Sequence, residues 1–427
     1  MNRLNLKSFL IASCAFMMLL GINACSSTEP ENVEFTEVAG EDQTDDKAWD
    51  YRAIELTRSM RECNNAMNNA SMKLFSKALE SGESAENILV SPLSVNYVLA
   101  ALVNGAEGQT RDEIMNFFGI ENLEDANQLF KLYTSELTKL DNQVKLSLAN
   151  SLWIDKQFFI NPDYANVLND GWPVALYSEQ LNTTECLQRI NTWVEDNTSG
   201  LIKDFLKKPI EGPMGVFNTV YFNGKWRYPF DKSATESATF KGVSGNMSVE
   251  MMHSERKILN YAKGENWQGV ALPYGNGNFE MRLILPDEGV SPSQLSIFND
   301  DIQWNTGYMV KTAVPKFECR YRNDKFENIL KNLGINKIFS DNNDELSGIL
   351  TEVNKGFALS NVIHEAVVNV EESGAVMAAA TGGVLVGADG LDKDPVNIDL
   401  VFDRPFIFEV RETSTNTLIF IGVVNNI

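Results

Sequence analysis

The chain of 427 residues is 44% hydrophobic and 22% charged, enough for one large or two ordinary cored domains and too apolar to be disordered throughout. Its 36 Lys and Arg against 58 Asp and Glu give a net charge of −22, which excludes a nucleic-acid partner and disfavours a polyanion cofactor, since both need clustered positive charge. Two histidines, His253 and His364, leave little from which to assemble a metal centre or histidine acid–base chemistry, so no metal or other cofactor is expected.

At the N-terminus, Arg3 and Lys7 precede an apolar run from Phe9 to Gly21. The run is too short for a comfortable membrane span and reads as an export signal over residues 1–24. Ile22-Asn23-Ala24-Cys25 is similar to the bacterial lipoprotein cleavage box, in which the cysteine is lipidated and begins the mature chain, although Asn23 replaces the usual small or hydroxylated residue. A plain secretory signal is the alternative. From Ser26 to Asp50 there are nine acids against one lysine, the composition of a self-repelling flexible tether, set at residues 25–47 with the folded domain over 48–427. The expected location is the cell envelope, lipid-anchored in the outer membrane and facing outward, or secreted. Cys63, Cys186 and Cys319 form no CxxC pattern and read as buried thiols, with a single disulfide left open.

Residues 48–79 carry apolar positions at helical spacing (Ile54, Leu56, Met60, Met67, Met72, Leu74, Phe75, Leu79) and predict one or two helices. From Asn87 to Ile120 the pattern is a short strand, a helix opened by Ser91-Pro92, a stop at Gly105 and a second helix after Thr110. Strand character follows at Val144–Ile154, Gly215–Trp226, Trp267–Tyr274 and Phe279–Asp287, then a helical stretch at Tyr321–Ile335 and a terminal hairpin turning at Thr413–Asn416. The whole predicts one mixed α+β domain without repeats.

Between Glu372 and Asp389 lie sixteen residues, SGAVMAAATGGVLVGA, with no charge, proline or aromatic ring. A Gly/Ala connector is one reading. The other is a segment destined to become a central strand, because only a strand buried on both faces is served by a continuous run of small and apolar residues. Extended, Gly374–Ala388 would span roughly 50 Å, long enough to cross a sheet.

HEAVVNVEESGAVMAAAT (His364–Thr381) followed by DRPFIFEVRE (Asp403–Glu412) resembles the hinge and C-terminal signature of the serpins. NILVSPLSVNYVLAALVNGAEGQTRDEI, FNTVYFNGKWRYPFD, ELSGI and ALSNVIHEA match the same family in the same order. The resemblance implies three β-sheets, an N-terminal helical region and an exposed bait loop at about 371–394. It implies a polar shutter of Ser91, Ser94, Asn218 and His364, and a breach marked by Trp226. It implies a hinge of Glu372, Gly374, Ala375, Met377, Ala378, Ala379, Ala380 and Thr381; Ala375 stands where the family often has Thr or Ser, and Met377 where Ala is common.

The family's spacing sets the reactive bond at Ala388–Asp389, with Val386, Leu385 and Leu391 as further candidates, and a small residue there suits an elastase-like protease. The implied function is that of a monomeric, single-use inhibitor of serine proteases and not an enzyme; cysteine proteases are a second target class. A non-inhibitory serpin serving as an envelope binding or scaffold protein is the alternative. No hydrolase, phosphate-loop or zinc-protease motif occurs, and Asp389, Asp392 and Asp394 lack metal-ligand spacing.

Overall fold

The first regular element, α1 (Arg58–Ser81), begins where Thr57 Oγ1 accepts the Met60 N–H at 3.3 Å and ends at Gly82. The structure, a computed structural model, describes residues 50–427 apart from 171, 173, 296, 298–301, 341–344, 353–356, 360 and 375–395, and not the side chains of Asn218 and Asn361. Residues 50–57, inside the stretch 48–79 expected to be helical, form no helix; the main-chain groups of Arg52 and Ile54 are met by side chains from elsewhere, those of Asn278 and Ser414. A backbone already satisfied has no need of helical bonds.

β1 (Ile88–Val90) leads into α2 (Pro92–Val103), which is buried on nearly every side, as its apolar composition demands. Ser91 precedes it but leaves the helix end alone, donating its hydroxyl to Ile419 O at 2.9 Å. The next helix, α3 (Gly108–Phe118), starts two residues before the expected Thr110. Gly108 adopts φ +49° there, and the Glu345 carboxylate accepts the Thr110 N–H at 2.6 Å, so the helix is capped from 235 residues away. α4 (Leu123–Glu136) completes the N-terminal helical region.

In order, the chain then forms β2 (Val144–Asp155), α5 (Pro162–Asn169), β3 (Val174–Glu179), α6 (Thr184–Asn197), β4 (Met214–Gly224), β5 (Glu236–Gly242), β6 (Gly245–His253), β7 (Lys257–Gly264), β8 (Trp267–Tyr274), β9 (Phe279–Pro286), β10 (Asn305–Pro315) and β11 (Phe317–Asn323). It continues with α7 (Glu327–Asn332), β12 (Asn361–Val362), β13 (His364–Val370), β14 (Val396–Val401), β15 (Phe406–Glu412) and β16 (Thr417–Val424). The helical expectation at Tyr321–Ile335 shrinks to α7. Phe317, Cys319 and Tyr321 are buried while Glu318 and Arg320 face out, a period of two that belongs to a strand.

The described strands fall into three hydrogen-bonded sets: ten strands in the order β1-β16-β15-β9-β8-β7-β10-β6-β5 with β14 beside β10, four in the order β12-β4-β2-β3, and the pair β11-β13. β15 and β16 form the expected terminal hairpin and are buried throughout. One core runs between the helices and these sheets; a smaller one lies under α6, where Ile190 and Val194 pack with Trp153, Phe205, Phe217 and Val367.

Within β15, Arg411 and Glu409 form an ion pair at 2.7 Å with both side chains almost fully buried, and Arg411 also donates to Asn416 O at 2.8 Å. Arg411→Met leaves Glu409 charged and unpaired in the core. We expect a destabilisation of about 3–5 kcal/mol, read as a lower Tm in thermal denaturation, with the double change Glu409→Leu/Arg411→Met recovering most of the loss.

Candidate functional site

β4 and the segment β12–β13 run parallel and side by side, but they share hydrogen bonds only at their start, where Asn361 pairs with Gly215 and Val362 with Val216. Above this point β13 pairs with β11 alone and β4 with β2 alone. Among the described residues, the facing edges of Phe217–Gly224 and His364–Val370 therefore carry no common ladder. An antiparallel strand entering here would complete two ladders at once. At about 1 kcal/mol net per hydrogen bond, eight residues paired on both sides represent on the order of ten kcal/mol, before any apolar burial is counted.

The lower end of this gap holds part of the expected shutter. His364 opens β13 and is buried, its ring tilted against Phe326 at 4.8 Å between centroids. Its Nε2 accepts a long 3.4 Å hydrogen bond from the Ser91 N–H. Burial drives its pKa down to about 4, opposed by a hydrogen bond to the Leu89 backbone. Ser94 lies buried in the first turn of α2. Asn218 stands in β4 opposite Asn150. The structure thus joins Ser91 to His364 and sets Ser94 and Asn218 on the neighbouring elements.

The upper end is closed by the residues of the expected hinge. Just beyond β4, Trp226 donates its backbone N–H to Ser373 O at 3.1 Å and its indole N–H to Glu371 O at 2.9 Å. The indole is stacked on Tyr274, 4.2 Å between centroids and 10° from parallel. Phe230 N–H donates to Glu372 O at 2.9 Å. Gly374 sits at φ +105° against the end of β4, where a Cβ would run into the Gly224 carbonyl oxygen. Only glycine fits that backbone and that approach.

The Glu372 carboxylate is buried, 2.9 Å from Lys316 Nζ and 3.0 Å from the Thr235 hydroxyl. Burial alone would raise its pKa, but the hydrogen bonds from Lys316, its own backbone and Thr235 outweigh it and hold the group below the usual carboxylate range. Lys316, Thr235, Phe230 and Tyr274 are hinge contacts that no sequence pattern announced. The remaining predicted residues, Ala375, Met377, Ala378, Ala379, Ala380, Thr381, Ala388, Asp389 and Cys25, lie outside the described residues, as do the signal and the tether.

α6 lies over the gap, since its small core takes Phe217 from β4 and Val367 from β13. Cys63, Cys186 and Cys319 are free and buried. Burial pushes the Cys63 thiol up to about 12 and that of Cys186 to about 11, and it raises Cys319 as well, which keeps all three protonated and unsuited to nucleophilic work.

A protein-family model described as "Serpin (serine protease inhibitor)" matches residues 65–427. The chain is a serpin. Serpin-ZX of Arabidopsis thaliana is 30% identical over 389 residues, covering 86% of this serpin and 98% of its own length. Serine protease inhibitor 42Dd of Drosophila melanogaster is 32% identical over 365 residues, 81% of this chain and 93% of its own. The crystal structure of tengpin, a thermophilic serpin, in the native state matches with a TM-score of 0.76 at 26% identity, over 88% of this chain and 96% of that one. The α+β serpin fold is therefore established, and at the level of the family such proteins inhibit proteases rather than catalyse a reaction.

The His364 environment gives this serpin an acid-sensitive seam. The folded-state pKa lies below the ordinary 6.5, so the unfolded chain binds more protons between the two values and stability falls as pH drops from 6.5 to about 4. The expected loss is about 3 kcal/mol for this one group. Denaturant unfolding at pH 7, 5.5 and 4 should show it, and His364→Asn should flatten the profile across that window.

Proposed function

We propose that this serpin is a single-use inhibitor of serine proteases that traps the acyl-enzyme by inserting its cleaved loop between β4 and β13. The observation that carries the reading is the pair of facing strand edges without a shared ladder, with the hinge at Glu371–Gly374 already seated at their upper end. The loop is the bait, attacked as a substrate at Ala388–Asp389. While the loop is intact both of its ends are held. Cutting it frees one end, and the segment from Gly374 enters the gap as a new antiparallel strand, its small residues suited to a position buried on both faces. The native state is a kinetic trap, held short of its best-paired arrangement until cleavage.

In this reading Trp226, Glu372 and Gly374 hold the breach and hinge, and Ser91, Ser94, Asn218 and His364 hold the shutter where β4 and β13 diverge. Ala388 favours elastase-like targets. The protein acts as a monomer, carried on a bacterial cell envelope by a lipid on Cys25 with residues 25–47 as its tether. Mass spectrometry of the mature N-terminus after expression in a bacterial host reads that anchor directly, and an unmodified N-terminus at another residue overturns it.

Incubation with elastase-like, chymotrypsin-like, trypsin-like and papain-like proteases should give a complex resistant to denaturing electrophoresis with the elastase-like enzyme, together with a large rise in the heat stability of the cleaved protein. Clean cleavage with every protease left active, and no gain in heat stability, would point instead to a non-inhibitory member. Ala375→Arg should convert the inhibitor to a substrate, because insertion would bury an unpaired cation. Unchanged stoichiometry of inhibition in that variant would refute insertion through this position.

A further inference from the structure

Residues 50–56 lie ahead of the first helix and outside the family match, which begins at residue 65. They are held mainly through their backbone. Asn278, fully buried, spends its whole side-chain amide on Arg52: its Oδ1 accepts the Arg52 N–H at 3.2 Å and its Nδ2 donates to Arg52 O at 2.7 Å. Asn276 Nδ2 donates to both Asp50 O and Leu140 O at 2.9 Å, Ser414 Oγ accepts the Ile54 N–H at 2.9 Å, and Arg52 pairs with Glu136 at 3.0 Å.

The turn that receives this segment, Gly275–Asn278, buttresses the hinge. Gly275 N–H donates to Lys225 O at 2.8 Å, while Lys225 N–H donates to Gln143 O at 3.1 Å. Asn276 and Gln143 are in turn tied together, because Asp141 accepts both of their backbone N–H groups, at 2.7 and 2.8 Å. The residue before the turn, Tyr274, is the one on which Trp226 stacks, and Trp226 holds Glu371 and Ser373. Removing the segment strands the buried Asn278 amide and one donor of Asn276, and the turn must then loosen or admit water to satisfy them.

We propose that residues 50–56 are a strap that braces the upper end of the gap, so that its release lets the hinge leave its seat and enter the sheet sooner. The inference rests on the reading of the gap as a loop-insertion site. It also gives the segment linking the fold to the tether a role in how long the inhibitor stays active.

The test uses the full chain with three variants: Ile54→Asp, which expels the buried side chain of the strap; Arg52→Glu, which sets two acids against each other; and Arg52→Glu with Glu136→Arg, which restores the pair. In Ile54→Asp and Arg52→Glu, amide exchange at Asn276, Asn278, Trp226 and Gly374 should accelerate, and capacity to form the covalent protease complex should decay about tenfold faster on standing at 37 °C, as loss of one or two hydrogen bonds implies. The charge-swapped pair should recover both readouts. Acceleration confined to residues 50–56, with Trp226 and Gly374 unchanged, overturns the inference. If no chain forms a complex with any protease, the inhibitory reading falls, and exchange at Trp226 and Gly374 alone decides the strap. Should Ile54→Asp fail to fold, the Arg52 and Glu136 variants carry the same decision.

Discussion

Hydrogen bonds left unmade between two parallel strands govern the arrangement of everything around them. Sheet edges are normally paired, covered or shortened, because an open row of N–H and C=O groups recruits whatever strand comes near. Here two such rows face each other inside one molecule, joined at the base by Asn361 and Val362 and bridged at the top by the hinge. The surrounding structure meets the cost of that opening: the buried His364–Ser91 contact beneath, a stacked tryptophan and the Glu372–Lys316 pair above, and α6 packed against both edges.

The two ends of the gap are held by different chemistry. At the base, the ring of His364 is neutral and buried, and the bond its Nε2 accepts from the Ser91 N–H depends on its staying neutral, whereas the bond to the Leu89 backbone favours the protonated ring. At the top, a charged carboxylate is kept charged by Lys316 and Thr235, and glycine allows the chain to press against β4. Under the proposed mechanism the lower end therefore responds to protons and the upper end to cutting or loosening of the chain. Separate controls on one opening are a natural design for a metastable fold, since neither stimulus alone need release the whole sheet.

Much of this was legible in the sequence, for physical reasons that differ by element. Strong local signals carried α2, β8, β9 and the terminal hairpin, because Pro92 and continuous apolar runs act over a few residues. Glu372, Gly374 and Trp226 were singled out through long family motifs, and the structure seats Trp226 against the segment Glu371–Gly374. Their partners were not legible. Lys316 is 56 positions before Glu372, and nothing in its neighbourhood distinguishes it from a solvated lysine. No local pattern marks Asn278, although its buried side-chain amide meets both main-chain groups of Arg52. Residues 50–57 were read as helix because Ile54 and Leu56 fit that spacing, whereas their backbone bonds come from distant side chains that periodicity does not see. Tyr321 was assigned to the helical stretch that runs to Ile335, whereas it belongs to the alternation of β11 that begins at Phe317.

The placement of α6 bears on timing. Its small core grips Phe217 on one side of the opening and Val367 on the other, so admitting another strand, about 4.8 Å wide, must first shear that grip. In a protease trap the outcome is a race between hydrolysis of the acyl bond and travel of the loop. Under the proposed trapping mechanism the aromatic cluster of Trp153, Phe205 and Phe217 works as an escapement: packed tightly it gives the captured enzyme time to leave, and packed loosely it lets the sheet fire before anything has been caught.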